Sequence, residues 1–362
     1  MTIKSFSIEY DSINSRNIFT NGDTINGRII VEVSKETKIQ ALIFIAKGKA
    51  SVRWSEHYGQ YDHRVYWADE KYYDVTQHIL RESRQDGSEI IGKGRHVFPF
   101  AFTIPDRKIP STFKGYEGKI VHKLKAELKQ SMKLTKKAKA HFTFVSKADM
   151  DTPGLMEPQY GCKDKSVRTF GSGKVSLDVN TKQMGYMQGE GIKVHLEINN
   201  RSSRSVKPKF ILYEKKSFFA QGHRRVHTHE ILKDKVEAID PSGKKTVTKV
   251  IPIPRELPPS IMNCSIIKLE YRLKVFLDIK CATDPEIKLP IVVLPVFEHR
   301  TAKQPPPAAG FGFEGFGNPN PAPWGMMPLP QAAPRAVDPP PPYGEAAVYP
   351  PLNDYGKYGN AF

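Results

Sequence analysis

The sequence predicts an all-β protein: two tandem β-sandwich domains followed by a disordered, proline-rich tail. Three observations carry that expectation. Short runs of alternating polar and apolar residues, punctuated by Gly, Pro and Asn, recur along residues 1–298, and no long amphipathic helix competes with them. Several of these runs come twice at a fixed offset. Finally, 15 of the 29 prolines lie beyond residue 300, among too few aliphatic side chains to offset the entropy of ordering them.

The first copy is assigned to residues 1–150. Gly22-Asp23-Thr24-Ile25 opens an alternation through Ile25, Gly27, Ile29 and Val31. Gly189-Glu190-Gly191-Ile192 opens another through Ile192, Val194, Leu196 and Ile198, at an offset of 167 from the first. At the same offset Ala41-Leu42-Ile43-Phe44-Ile45 meets Pro208-Lys209-Phe210-Ile211-Leu212. Further on, Ile104-Pro105, Pro110-Ser111 and Leu124-Lys125-Ala126 meet Ile253-Pro254, Pro259-Ser260 and Leu273-Lys274-Val275 at an offset of 149. The first copy is therefore the longer by 18, which is 167 less 149, and the excess is placed between Val52 and Arg95 where Tyr, Trp and charge crowd together. A long hairpin or binding loop is expected there. The best helical window, Thr76–Gln85, has β-branched and aromatic neighbours that favour strand or loop. Residues 151–172 carry the Pro, Gly and Asp of an irregular connection. The second copy follows at 173–298 and the tail at 299–362. A repeat this long is a domain duplication, not a solenoid.

Chain length (362 residues, 39% apolar) suffices for two ordinary domains and a tail. No apolar run reaches the ~18 residues that a bilayer span requires, and Met1–Ser12 has no secretory core. Cys162, Cys264 and Cys281 are too few and too scattered for a disulfide framework or a Cys-x-x-Cys metal site. Cys264 and Cys281 are expected to pack as thiols within strands. A cytoplasmic protein is the expectation.

The formal charge is +17. Beyond residue 300 three basic residues (Lys303, Arg335, Lys357) face four acidic ones (Glu314, Asp338, Glu345, Asp354), a net of −1, which leaves +18 on the rest. Such a surface suits an acidic partner: a phosphorylated peptide, anionic lipid headgroups or nucleic acid. The short stretch Lys129–His141 holds five lysines, Lys129, Lys133, Lys136, Lys137 and Lys139. With Lys123 and Lys125 they form a candidate cradle for phosphate or an acidic cargo segment, the alternative being a solvated hairpin. No aromatic interrupts the lysines of Lys129–His141, so stacking on nucleic-acid bases is not expected.

Other motifs carry less. His223, His227 and His229 share one face of a strand, yet with two arginines beside them and no matching carboxylate pair they read as an exposed basic strand. The Gly-x-Gly-x-x-Gly within Gly310–Gly317 follows no strand and opens no helix, which excludes a dinucleotide loop. No arrangement of nucleophile and base suggests an enzyme. No cofactor and no metal are expected.

In the tail, Asp338–Glu345 reads DPPPPYGE. Prolines fix φ and offer no ladder donors, so the run is either a polyproline II spacer or a ligand.

Several stretches together resemble the α-arrestins, the arrestin domain-containing proteins. They are NGDTINGRIIVEV (Asn21–Val33), AKGKASVRW (Ala46–Trp54), STFKGYEGKIVHKLKAEL (Ser111–Leu128), PPSIMNCSIIKLEYRLKV (Pro258–Val275) and LPIVV (Leu289–Val293). The likeness covers roughly residues 5–297 and implies an arrestin fold with an N-domain and a C-domain. It also implies a non-enzymatic trafficking adaptor at the plasma membrane and endosomes. Such an adaptor brings HECT-type ubiquitin ligases to membrane-receptor or transporter cargo; the anionic membrane surface expected as a further contact rests on the positive charge instead. Family members recruit the ligase through Pro-Pro-x-Tyr, which falls here on Pro340, Pro341, Pro342 and Tyr343. The two prolines would stack in the aromatic groove of a WW domain, with the tyrosine on the same face of the three-residue turn. A second copy, common among relatives, is reduced to Pro350-Pro351-Leu352-Asn353. Tyr349-Pro350-Pro351-Leu352 resembles a motif read by ESCRT-associated adaptors. Thioredoxin binding, known in one branch, depends on a cysteine that Asp240–Lys249 lacks.

Overall fold

The computed structural model describes residues 2–59, 62–80, 89–167, 173–280 and 282–297. Among them the chain forms strands β1–β20 and no helix. In the first domain β1 (Ile3–Tyr10), β3 (Thr24–Val33) and β8 (Gly94–Thr103) form an antiparallel sheet in the order β1-β3-β8. A second sheet runs β2-β11-β10-β5-β6, from β2 (Ile18–Phe19), β5 (Ala41–Tyr58), β6 (Asp62–Leu80), β10 (Gly118–Lys129) and β11 (Lys136–Phe144). Short β9 (Phe113–Lys114) adds to β10, and β4 (Thr37–Ile39) pairs with β7 (Glu89–Ile91).

The second domain repeats this plan. Its first sheet is β12-β13-β15-β18, from β12 (Gln159–Ser166), β13 (Gly173–Thr181), β15 (Gly191–Ser202) and β18 (Lys244–Pro252). Its second is β14-β20-β19-β16-β17, from β14 (Gly185–Met187), β16 (Lys207–Ala220), β17 (His223–Lys235), β19 (Ile267–Asp278) and β20 (Glu286–Leu294).

The duplication extends to single hydrogen bonds. Under the second, smaller offset of the repeat, the bounds of β10 coincide with those of β19. Gly22 and Gly189 both take positive φ, 78° and 83°, where a side chain would strain the turn. The acid after each glycine closes that turn alike: Thr20 N donates to Asp23 Oδ2 and Met187 N to Glu190 Oε2, both at 2.8 Å. The backbones of the same two acids accept from Ile104 N and Ile253 N, both at 2.9 Å.

Alternation decides which side of each strand is buried. In β10, Ile120, His122, Leu124, Ala126 and Leu128 point inward while the residues between them face outward. Leu124, Ala126 and Leu128 of this set meet Phe44, Phe100 and Phe142 in the first core, with the Phe44 and Phe100 rings stacked at 4.4 Å.

The extra residues of the first copy build a long hairpin, with 18 residues in β5 and 19 in β6 against 14 in β16 and 13 in β17. Near its base, Leu42, Phe44, Ala46 and Tyr73 belong to the first core. Farther out, Ala50, Val52, Trp54 and Tyr66 join the second core together with Phe113 and Ile120. One strand pair thus serves two domains. Thr76–Leu80, within the weak helical window, lies in β6 as a strand.

Two expectations need correction. The connection 151–172 is not irregular throughout: β12 pairs antiparallel with β13 along its whole length, from Gln159 opposite Thr181 to Ser166 opposite Lys174. Cys264 is buried but sits in the turn before β19, where its Sγ accepts from Ile267 N at 3.2 Å. Cys281 lies outside the described residues, and Cys162 is exposed on β12.

His122 is fully buried between the rings of Tyr73, Phe142 and Phe144. Its Nε2 lies 3.1 Å from the Pro110 carbonyl, which can only accept, so that nitrogen carries the proton. Nδ1 is then bare and accepts from the Tyr73 hydroxyl at 2.9 Å. Burial disfavours the imidazolium and lowers the His122 pKa to about 4. The unfolded chain takes up this proton near pH 6.5 and the folded chain only near 4. The contribution to stability is therefore complete above pH 6.5 and drains away as pH falls toward 4, by about 3 kcal/mol. Urea midpoints measured across that range should show the decline in the native chain, and the difference curve against His122→Phe should isolate it. Parallel curves would refute the assignment.

Candidate functional site

The outward face of β5, β10 and β11 gathers the lysines. Register sets the rows across the strands. Lys123 lies opposite His141 on β11 and Lys47 on β5, and Lys125 lies opposite Lys139. Lys49 sits one step along, opposite Val121.

Two carboxylates reach this face from β6 and a third, Glu127, stands on β10 itself. Lys47 pairs with Asp74 at 3.0 Å and Lys49 with Asp69 at 2.9 Å, both acids on β6, and Lys125 pairs with Glu127. Lys123, Lys137 and Lys139 have no ion pair among the described residues. Partial burial, then the charges of Lys139, Lys125, Lys47 and Lys49, push the Lys123 pKa down. An ammonium held among four others is a site short of an anion.

The second domain provides an internal control. In the alignment of the two copies, Glu270 stands where the first domain has Val121, and Glu286 where it has Lys137. Glu286 there neutralises Lys274 at 2.5 Å and Lys288 at 2.6 Å, and Glu270 lies 3.3 Å from Lys215 and 3.6 Å from Arg272. Each of those four cations of the second domain has a carboxylate within 4 Å, whereas Lys123, Lys137 and Lys139 of the first have none among the described residues.

Of the seven lysines singled out in the sequence, Lys123, Lys125, Lys137 and Lys139 share this face. Lys129 is exposed at the end of β10, and Lys133 lies on the turn beyond it. Lys136 turns aside and donates to the Ile3 carbonyl at 3.0 Å. Lys47 and Lys49 complete the field. Their alternation with Ala46, Gly48 and Ala50 is visible in the sequence, but their neighbours across the sheet are not.

Replacing Lys123 should separate binding from stability. Lys123→Gln removes like-charge repulsion across the sheet and should stabilise the fold by about 0.5 kcal/mol. The same change should weaken capture of acidic peptides. A lowered melting temperature would count against the repulsive field.

The three histidines are not a free basic strand. His227 Nε2 lies 2.8 Å from Glu117 Oε1, Arg225 Nε reaches the same carboxylate at 3.4 Å, and His229 Nδ1 is 3.9 Å from Glu214. The His223 ring packs on Tyr66 at 4.2 Å. Glu117 and Tyr66 come from the first domain, so His223, Arg225 and His227 help join the two. On the other flank Glu70 Oε2 accepts from Ser265 N at 2.8 Å, and the Tyr72 hydroxyl donates to Cys264 Sγ at 3.1 Å. Among the described residues no group of three or more His, Cys, Asp or Glu side chains could hold a metal ion, and no helix is long and apolar enough to cross a membrane. Pro340, Pro341, Pro342 and Tyr343 lie outside the described residues.

Comparison with known families matches both domains. The model of the arrestin (or S-antigen) N-terminal domain matches residues 6–151, and that of the C-terminal domain matches residues 171–296. The chain belongs to the arrestin family. It is similar to arrestin domain-containing protein 4 of Mus musculus, 28% identical over 302 residues covering 80% of this chain and 72% of the relative. The Homo sapiens counterpart is 27% identical over 299 residues, covering 80% and 71%. Thioredoxin-interacting protein of Mus musculus is 27% identical over 301 residues, covering 80% and 73%. These relatives place the chain in the α-arrestin branch, and α-arrestin relatives generally bind partner proteins as adaptors.

Proposed function

We propose that this α-arrestin is a trafficking adaptor with two working parts. The folded domains hold membrane-receptor or transporter cargo, with the lysine face taking an acidic segment of it. The tail recruits a WW-containing HECT-type ubiquitin ligase through Pro340, Pro341, Pro342 and Tyr343, and so promotes ubiquitination, endocytosis and endosomal sorting of the cargo. Its place of action is the cytoplasmic side of the plasma membrane and endosomes. Tyr349-Pro350-Pro351-Leu352 offers an ESCRT-associated adaptor a contact close by.

The observation that carries this reading is a division of chemistry along one chain. An under-neutralised basic sheet lies on an arrestin domain, and a Pro-Pro-x-Tyr sequence lies on a tail of net charge −1. Electrostatics serves the first part, and recognition of prolines and a tyrosine by an aromatic groove serves the second. A thioredoxin role is not proposed, since Asp240–Lys249 has no cysteine.

The test is a pull-down from cytosol with the full chain and with a chain ending at Arg300. Ubiquitin-ligase peptides should vanish on truncation while cargo binding persists. Ligase capture by the truncated chain would refute the assignment to the tail.

A further inference from the structure

The turn between β10 and β11 differs from its duplicate in a way that ligase recruitment does not explain. It runs Gln130-Ser131-Met132-Lys133-Leu134-Thr135. Met132 and Leu134 are 103% and 94% exposed, so neither side chain touches the rest of the fold appreciably. Turn tips are ordinarily polar, and two fully exposed apolar side chains in three positions depart from that rule. Met132 also holds a φ of +53°, a conformation that suits Gly or Asn and penalises a long side chain. Neither packing nor turn geometry calls for methionine here.

The base of the turn is anchored. Gln130 is buried and donates to Thr37 Oγ1 at 3.0 Å, Gln40 N donates to the Lys129 carbonyl at 2.9 Å, and Lys136 is tied to Ile3. The apolar pair thus stands on a fixed platform. Around it are Lys129, Lys133 and Lys137, none within 4 Å of a carboxylate among the described residues; Glu127, opposite Lys137 in the ladder, is already paired with Lys125 and feels Lys137 and Lys129 only at longer range.

The corresponding turn of the second domain, between β19 and β20, again serves as control. Its apolar residue Ile279 is 2% exposed, its backbone N donates to Asp284 Oδ1 at 3.1 Å, and Ala282 packs against the core. At the offset of 149 Ile279 matches Gln130, which is likewise buried, while Leu134 matches Thr283; the first-domain turn differs in its exposed Leu134 where the duplicate has a polar residue, and in lacking an acid.

Apolar side chains ringed by unpaired lysines match the boundary of an anionic bilayer, where headgroups take the ammonium groups and acyl chains take the apolar tip. A phosphorylated peptide would use the lysines and leave Met132 and Leu134 in water. We propose that the β10–β11 hairpin docks on an anionic membrane surface, with Met132 and Leu134 entering the lipid and Lys129, Lys133 and Lys137 contacting headgroups. The contact is weak and reversible, and it orients the lysine face beside the bilayer from which cargo segments emerge.

The test uses the full chain, sedimented with vesicles of phosphatidylcholine alone or phosphatidylcholine with phosphatidylserine. Binding should require phosphatidylserine and fall as salt rises. The double variant M132G/L134S places glycine where φ is positive, so circular dichroism should show an intact fold, and its binding should drop about tenfold. The triple variant K129Q/K133Q/K137Q should lose on the order of a hundredfold, about fivefold per lysine. Equal binding to both vesicle types would overturn the proposal. So would a folded M132G/L134S that binds as well as the native chain, including the case in which a soluble phosphopeptide displaces both from the vesicles. Neither vesicle carries cargo or ligase, and Tyr343→Ala should bind both as the native chain does. Failure here therefore leaves the adaptor reading where it stood.

Discussion

Tyr343→Ala is expected to end ligase recruitment by the full chain. A single short peptide bound to one WW domain starts in the micromolar to tens-of-micromolar range, because ordering the segment consumes much of the contact energy. The tyrosine fills its own pocket, and truncating an aromatic anchor costs roughly 2 kcal/mol, or about thirtyfold. So weak a contact has no surplus to absorb that loss. Asn353→Ala should change little, since Pro350-Pro351-Leu352-Asn353 has no ring to lose. Asn353→Tyr should instead strengthen binding to a ligase with tandem WW domains by tenfold or more through effective concentration. Calorimetry of tail peptides against single and tandem WW domains decides both points, and unchanged affinity of the Tyr343→Ala peptide would refute the recruitment mechanism.

The second large effect is expected inside the fold, at Trp54. It is 5% exposed, packs on Tyr66 at a centroid distance of 5.5 Å, and donates from Nε1 to Glu56 at 3.0 Å. It also lies in the part of the hairpin that belongs to the second core. Trp54→Ala should cost about 3–5 kcal/mol, a large fraction of the ~5–15 kcal/mol that holds a domain folded. The loss falls on the junction, so scanning calorimetry should show one thermal transition separating into two. Phe44→Ala serves as the comparison: the cost is similar, but Phe44 lies in the first core alone, and the transition should move down without separating. A single, merely shifted transition for Trp54→Ala would mean that the domains are joined by other contacts.

The duplicated plan was legible because both copies keep the same turn chemistry, Gly followed by an acid, and the same alternation on facing strands. The long hairpin was legible as an excess of residues. Its span across two cores was not, because alternation reports that one side of a strand is buried but not which domain buries it. β12 escaped notice for a related reason. It is an edge strand with Lys163, Asp164 and Lys165 in its middle and no aliphatic alternation, so its only signal is the backbone pairing with β13. The lysine face was half legible. The run on β10 and β11 is local, whereas Lys47 and Lys49 join it only through the pairing of β5 with β10, strands far apart in the chain. Glu117 beside His227 is a contact between domains, and no local pattern announces it. The Pro-Pro-x-Tyr stretch lies outside the described residues and stays an expectation of the sequence alone.

The shared hairpin also imposes an order on synthesis. Val52, Trp54 and Tyr66 emerge early, but most of the core cluster they belong to, from Val167 onward, is made later. At ~5–20 residues per second the lag from Trp54 to the end of β19 is roughly 10–45 s. During that interval the first domain carries an unfinished apolar flank on an extended strand pair, the kind of surface on which nascent chains associate with one another or are held by chaperones. The first domain is therefore not a module that can be cut out and expected to stay soluble. Its last layer is supplied by its successor, so the first domain alone would keep that flank in water.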